Sequence, residues 1–288
     1  MKRACGWGMI EFLVAIALGL LITVMGSGLL LASSSNYRNH SDNVWLADGG
    51  RYAMRIMAQA IRQGAYVNWD SELAPAELAP DAPAAITGLD AASITRSSDG
   101  ISAPQPAVVN GSDVLAVQFS GSGTGANGDG SSINCAGFGV AGGTRGWSIF
   151  YVAADAGGEP ELRCKYRSAA GWGADAIVRG VDSFQVLYGV DTDTPMDGVP
   201  NTYLNATGAA ALGWKRVCSV KLALLLHGER NTRADTAPAR FDLFGTAYAD
   251  AHGDDLGVRV VEGSLPAAQR QRARRLFSMT VALRNRGG

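Results

Sequence analysis

Catalytic equipment is what this sequence most plainly lacks. Its three histidines, His40, His227 and His252, are scattered. None stands in the H-x-x-x-H spacing that sets two imidazoles on one helix face around a metal. No G-x-S-x-G elbow or phosphate-binding loop occurs. The glycines of GSGTGANGDG open no helix after a clear strand, so a phosphate role is not expected there. Charge of one sign is also missing. The net charge is −1, and after the first residues the basic side chains are spread from Arg38 onward, which excludes the concentrated positive field of a nucleic-acid-binding protein. Asp191, Asp193 and Asp197 in VDTDTPMDG come nearest to a metal loop, because calcium loops alternate carboxylates before a glycine. Here Pro195 takes the place of the third acid and no bidentate Glu follows, so an acidic surface turn is the better reading. Asp254 and Asp255 are weaker still. The sequence therefore predicts neither an enzyme nor a cofactor.

Charge is absent altogether from Phe12 to Ala32. Met9 to Leu31 is long enough to cross a bilayer, which takes about 20 residues for about 30 Å of hydrocarbon. A secretory signal would have a shorter apolar core and a small-residue cleavage site after it. Lys2 and Arg3 precede the run, which predicts a cytoplasmic N-terminus and a single span. Everything after about Ser33 then lies outside the inner membrane, which in a Gram-negative bacterium is an oxidising compartment. One carboxylate, Glu11, sits at the mouth of the apolar run. A charge in that setting is expensive, so it is expected to have a partner.

Cysteine usage fits that compartment. Cys5 precedes the apolar run; Cys135 and Cys164 flank loop-like sequence, INCAGFG and ELRCKY, and are expected to pair. Closing that loop would stabilise the fold by roughly 3–4 kcal/mol in the chain-entropy model. Cys218 shares parity with Val220, Leu222, Leu224 and Leu226, which predicts a reduced thiol pointing into the core.

A second, amphipathic stretch follows the apolar one. Ala53, Ile56, Met57, Ala60 and Ile61 recur at helical spacing, with Arg51, Arg55 and Arg62 opposite, so one helix is expected to continue to about Tyr66. Gly64 stands near its end, and Gly49-Gly50 is a point of weakness or kinking. Ser71 to Ser112 reads as a long surface loop with at most short elements. Alternation predicts strands around Leu115–Phe119, Trp147–Val152, Glu161–Tyr166, Phe184–Tyr188, Val217–Leu226 and Phe277–Leu283. The expected fold is α+β: a long N-terminal helix covering one side of a mostly antiparallel sheet.

The leader MKRACG, with Gly6 before the cut and Glu11 at the fifth position after it, resembles the type III signal sequence of type IV pilins. GRYAMRIMAQAIRQGAY, the INC…ELRC pair, VRGVDSFQVLYGVDTD, VCSVKLALLL and RRLFSMTVALRNR resemble the PilW family of minor pilins. The resemblance implies cleavage between Gly6 and Trp7 by a prepilin peptidase and methylation of the new Trp7 amine. Trp7 stands where the family usually has Phe; a cut after Gly8 would place Glu11 third, against the pattern. It implies that Glu11 registers the subunit during assembly by meeting a Trp7 amine. The organisation expected is residues 1–6 as leader, 7–32 as the transmembrane half of the helix, 33–67 as its amphipathic half and 68–288 as a periplasmic globular head. The implied partners are other minor pilins, the major pilin, the prepilin peptidase, an inner-membrane assembly platform and the lipid bilayer, with no nucleic acid. The protein would wait in the inner membrane, then join other minor pilins to prime or cap the filament, at its tip. A J-type minor pseudopilin of type II secretion shares the same plan. A membrane-anchored periplasmic enzyme or adhesin is the reading from another class.

Overall fold

The computed structural model describes residues 8–67, 83–233 and 237–285. Gly6 and Trp7, and with them the expected cleavage site, lie outside the described residues, as does the first part of the expected 71–112 loop.

Helix α1 (Met9–Gln63) is one uninterrupted element. From Met9 to Leu31 its large apolar side chains are exposed; from Asp42 onward it enters the head. Leu46, Ala53, Met57, Ala60 and Ile61 are buried, and so are Met54 and Ala58, which the expected face did not include. The buried face is wider because two sheets grip the helix. It contacts β7 (Gly171–Arg179) of one sheet and β13 (Arg274–Ala282) of the other, as well as β4 (Val114–Ser120) and β10 (Val217–His227). The helix stops about three residues earlier than its apolar pattern suggested. Gly64 N–H caps Ala60 O and Ile61 O, and Ala65, at φ +58°, donates to Gln118 O, turning the chain onto β4.

The glycine pair does not interrupt the helix. A Cβ on Gly49 would lie 3.0 Å from Val178 Cγ2, and one on Gly50 would fall inside contact distance of the Phe277 ring. Gly49-Gly50 is therefore where edge strands of both sheets come closest to the helix, and the missing side chains are what permit it. Gly50→Val is expected to destabilise the head by about 1–3 kcal/mol through overpacking. Phe277→Ala should cost less in the Gly50→Val background than alone, a coupling readable by urea unfolding of the four-variant cycle. Additive costs would show that the contact does not set the spacing.

The head has two antiparallel sheets rather than one. The first runs β1 (Ile86–Leu89), β4, β5 (Arg145–Ala154), β6 (Pro160–Ser168), β7; the second runs β13, β10, β8 (Val181–Val190), β9 (Thr202–Leu204). Both turn a face toward α1 and into a shared core that includes Phe150, Leu162, Phe184, Val186, Leu222 and Leu224. The outer faces are covered too, so the expectation of a sheet with one polar side does not hold. A hairpin of β2 (Ala92–Ile94) and β3 (Pro104–Pro106) lies over the first sheet, where Ile94, Ile149 and Tyr151 meet. The segment after β10 contributes β11 (Arg240–Asp242), paired with β12 (Arg259–Val261). It covers Ala223 and Leu225 of the second sheet with Leu243, Val260 and Leu265. Residues 83–112, expected to be loop, thus hold three short strands, one extending the first sheet and two covering it. Helix α2 (Ala206–Leu212) packs across β1, β8 and β9 and adds Ala206 and Ala209 to the shared core.

Candidate functional site

The exposed half of α1 is the first feature a soluble domain would not carry. It is the one helix among the described residues long and apolar enough to cross a membrane, with a mean hydropathy of 2.4 over its best window and none of that window buried in the head. Its few polar side chains are turned inward on the helix. Thr23 Oγ1 donates to Gly19 O at 2.7 Å and Ser27 Oγ to Thr23 O at 2.8 Å, which leaves little polarity to face lipid. Glu11 lies in the first turn. Its Oε2 accepts the N–H of Gly8, the N-cap residue, at 3.0 Å. A carboxylate there satisfies one orphan donor and meets the positive end of the helix dipole. Glu11 is the sole charged residue between Gly8 and Arg38.

The cysteines sit where loop meets sheet. Cys164, on β6, and Cys135, in the loop before β5, are joined in the structure, with Cα atoms 5.9 Å apart. Cys135 N–H donates to Ser148 Oγ at 3.0 Å, and Asn134 Oδ1 accepts from Ala136 and Phe138, so the loop is also held by its own hydrogen bonds. The joined pair forms one wall of a cleft of about 370 Å³ against α1, whose Tyr52, Arg55 and Gln59 form the other. Cys218 is buried, with its thiol 3.4 Å from Gly189 O. Its burial agrees with the expected inward position. The register between β10 and β8 shifts between Val217 and Ser219, and Val217, which strict alternation would turn to the other face, is buried with Val220 and Leu222 as well. In peptide maps of unreduced protein, Cys135 should be linked to Cys164, with Cys218 outside that bridge; a Cys218-containing bridge would overturn the pairing.

Asp191, Asp193 and Asp197 do come together, with one carboxylate oxygen of each within 4.8 Å of the others. Their oxygens are already used by the turn. Asp191 is buried and accepts the N–H groups of Asp193, at 3.0 Å, and Gly198. Asp197 accepts Val199 N–H at 2.8 Å, and Asp193 accepts from Asn201 Nδ2 at 3.1 Å. This is how aspartates build a loop without an ion. Asp255 is buried and meets Tyr248 OH at 3.0 Å.

The histidines remain apart: His40 is exposed on α1, and His252 stacks on Tyr248 at 4.1 Å. His227 belongs to a buried charge network that sequence reasoning missed. Its Nδ1 is 2.9 Å from Asp182 Oδ1 and its Nε2 2.5 Å from Glu159 Oε1. Arg274 reaches Asp182 at 2.7 Å and Glu262 at 3.0 Å, while Arg233 holds Glu262 at 2.6 Å and Arg272 holds Glu159 at 3.0 Å. The network ties the start of β6 in the first sheet to β8, β10 and β13 in the second. Lys165 was also missed. It is fully buried under the β2–β3 hairpin, donates to Thr95 O, Ser98 O and Gly100 O at 2.7–3.0 Å, and lies 4.9 Å from the Trp172 ring centre. Burial pushes its pKa down to about 8. Lys165 also donates to Ser98 Oγ at 2.9 Å, so its amine is fully occupied in pinning the hairpin to the sheet.

A family model described as Type IV Pilus-assembly protein W matches residues 149–285, from within β5 to just past β13. No curated protein and no solved structure matches the chain. The matched part is just under half of the chain and lies wholly in the head; it links the head, at family level, to proteins of pilus assembly.

Proposed function

We propose that this protein is a minor pilin of a type IV pilus, held in the inner membrane by α1 with its N-terminus cytoplasmic and its head periplasmic until it is assembled. The observation that carries the reading is the joining of two features: a head that matches the pilus-assembly model, and a helix that projects from it as an exposed apolar rod with one carboxylate near its tip. Neither alone would suffice, since an apolar N-terminal helix serves many anchored proteins. In this reading a prepilin peptidase cuts between Gly6 and Trp7 and methylates the Trp7 amine. The apolar rod then passes from lipid into a bundle of neighbouring pilin helices, other minor pilins and the major pilin, on the assembly platform. Glu11 matches its charge to the Trp7 amine of its own or an adjacent chain, because leaving either alone in an apolar setting costs several kcal/mol. The protein would prime the filament and remain at its tip.

Mass analysis of membrane-extracted protein should give a chain beginning at methylated Trp7; intact Met1 or a start at Met9 would overturn the processing step. A J-type pseudopilin of type II secretion shares the rod and carboxylate, and the pilus-assembly match favours the pilus. A clean deletion scored for twitching motility and for exoprotein secretion separates the two: loss of twitching alone supports the pilus reading, and loss of secretion alone overturns it.

A further inference from the structure

We propose that the end of the head nearest the apolar rod is a basic face that rests on anionic phospholipid headgroups while the protein waits in the membrane. The inference rests on the membrane-spanning reading of α1 and adds a contact that the reading does not require.

The fold fixes which end of the head this is. Helix α1 enters the head at Asp42, whose carboxylate accepts the Thr232 hydroxyl at 3.0 Å and lies against Gly228. Strand β13 runs from there in the same direction as α1. Phe277 lies at Gly50, and Asn285 donates to Arg62 O and Gly64 O at the far end. The start of β13 and the segment after β10 are therefore together at the rod side, with Gly228 N–H on Ala273 O and Arg233 N–H on Gln271 O.

The charges at that end are unevenly disposed. Arg233, Arg272 and Arg274 point inward to the carboxylates of the buried network. Arg38, Arg230, Arg270 and Arg275 are exposed, and none makes an ion pair among the described residues. Arg270 does donate to Leu265 O, and Arg275 lies 5.5 Å from the Phe277 ring centre. Among the described residues Glu229 is the exposed acid beside Arg230, Asp48 is exposed farther along α1 and pairs with Arg51, and Asp42 is buried and held by Thr232. What this end shows to its surroundings is positive.

Distance favours a headgroup as the partner. Arg38 lies seven residues beyond Leu31, about 10 Å along a helix, and Asp42 about 16 Å. Headgroups extend about 5–8 Å past the hydrocarbon, an arginine side chain spans several ångströms more, and the Debye length in physiological salt is about 8 Å. The phosphates of anionic lipid are thus within electrostatic reach of Arg38 and of the guanidinium groups at the end where α1 enters the head, Arg230 and Arg270, while Arg275, beside Phe277 at the level of Gly50, lies farther off; juxtamembrane arginines are attracted to such surfaces.

The test uses the full chain reconstituted in vesicles of phosphatidylcholine alone or with about one-third phosphatidylglycerol, read by amide hydrogen exchange of residues 228–233 and 269–276. Exchange there should be at least about threefold slower on the anionic vesicles, and the difference should vanish in about 0.5 M salt, where charges are screened within a few ångströms. Arg38→Glu/Arg230→Glu/Arg270→Glu should abolish it, while Arg62→Glu/Arg167→Glu/Arg284→Glu, reversing charges elsewhere, should not. The salt arm needs no substitution and so stands even if the first triple variant misfolds. Equal exchange on the two vesicles, or protection that survives salt, would overturn the proposal. If Met9–Leu31 exchanges freely in both, the membrane-spanning reading falls and this proposal with it; if that stretch is protected and the head edge is not, only this proposal falls.

Discussion

Glu11→Ala should leave the chain cut after Gly6 and its head folded, yet reduce surface pili at least tenfold in a deletion strain complemented with the variant. The reason lies in the isolation of this carboxylate. No other charge occurs from Gly8 to Tyr37, so nothing else on the rod can neutralise the Trp7 amine once both leave water. In the uncut chain Glu11 accepts the N–H of Gly8, a modest interaction whose loss would not unfold a helix of this length. The effect should follow charge rather than shape. Glu11→Gln keeps the size and hydrogen-bonding capacity and should fail nearly as badly as Ala, while Glu11→Asp should retain part of the activity. Counting pili at matched protein level checks this. Normal piliation with Glu11→Ala would mean that the carboxylate plays no part in assembly of this subunit.

The second large effect is expected far from the rod. Arg274→Met should destabilise the head by about 3–5 kcal/mol, because it removes the guanidinium shared by Asp182 and Glu262, both buried, and leaves Asp182 to His227 and Glu262 to Arg233 alone. Arg240→Met is the contrasting case. Its partner is Asp242, but the arginine side chain is 47% exposed, so the loss should be about 0–1 kcal/mol. Urea unfolding of the full chain in detergent reads both. Equal costs would show that the buried network is not what joins the two sheets at that end.

The long helix and the strongest strands were readable because their periods are clean. The apolar repeat from Ala53 to Ile61 and the alternation of Val220, Leu222, Leu224 and Leu226 leave few alternatives. Strand β7 escaped notice because GWGADAIVR mixes glycine, tryptophan and aspartate without a period. The covered outer faces escaped for a different reason. Ser183, Gln185 and Ser219 look like solvent-facing residues of an alternating strand, yet all are buried. Ser183 donates to Gly257 O and Gln185 to Gly111 O, bonds to segments distant in sequence that no local pattern announces. Gly49-Gly50 was visible but misread. A glycine pair in a helix looks like weakness when the strand that needs the space lies more than 220 residues away. Lys165 and Asp182 carried no signal, since a buried charge is recognisable only when its partners are known. At the candidate site, the apolar run and its lone carboxylate were legible in full because both depend on local sequence. The register shift at Cys218 was not, because a bulge belongs to a pair of strands.

The grip of the two edge strands on α1 has a mechanical consequence. Strand β13 lies along the helix from Gly50 to Gly64 and points the same way, and Val178 of β7 touches the helix from the other sheet at Gly49. A tug on the rod along its axis therefore loads these contacts side by side, in shear, rather than peeling them one after another. A sideways pull on the same rod would open them in sequence, beginning at Asp42. The head is thus built to be hauled along the direction in which its anchor points, and a piston drawing the rod out of a membrane would meet its strongest attachment.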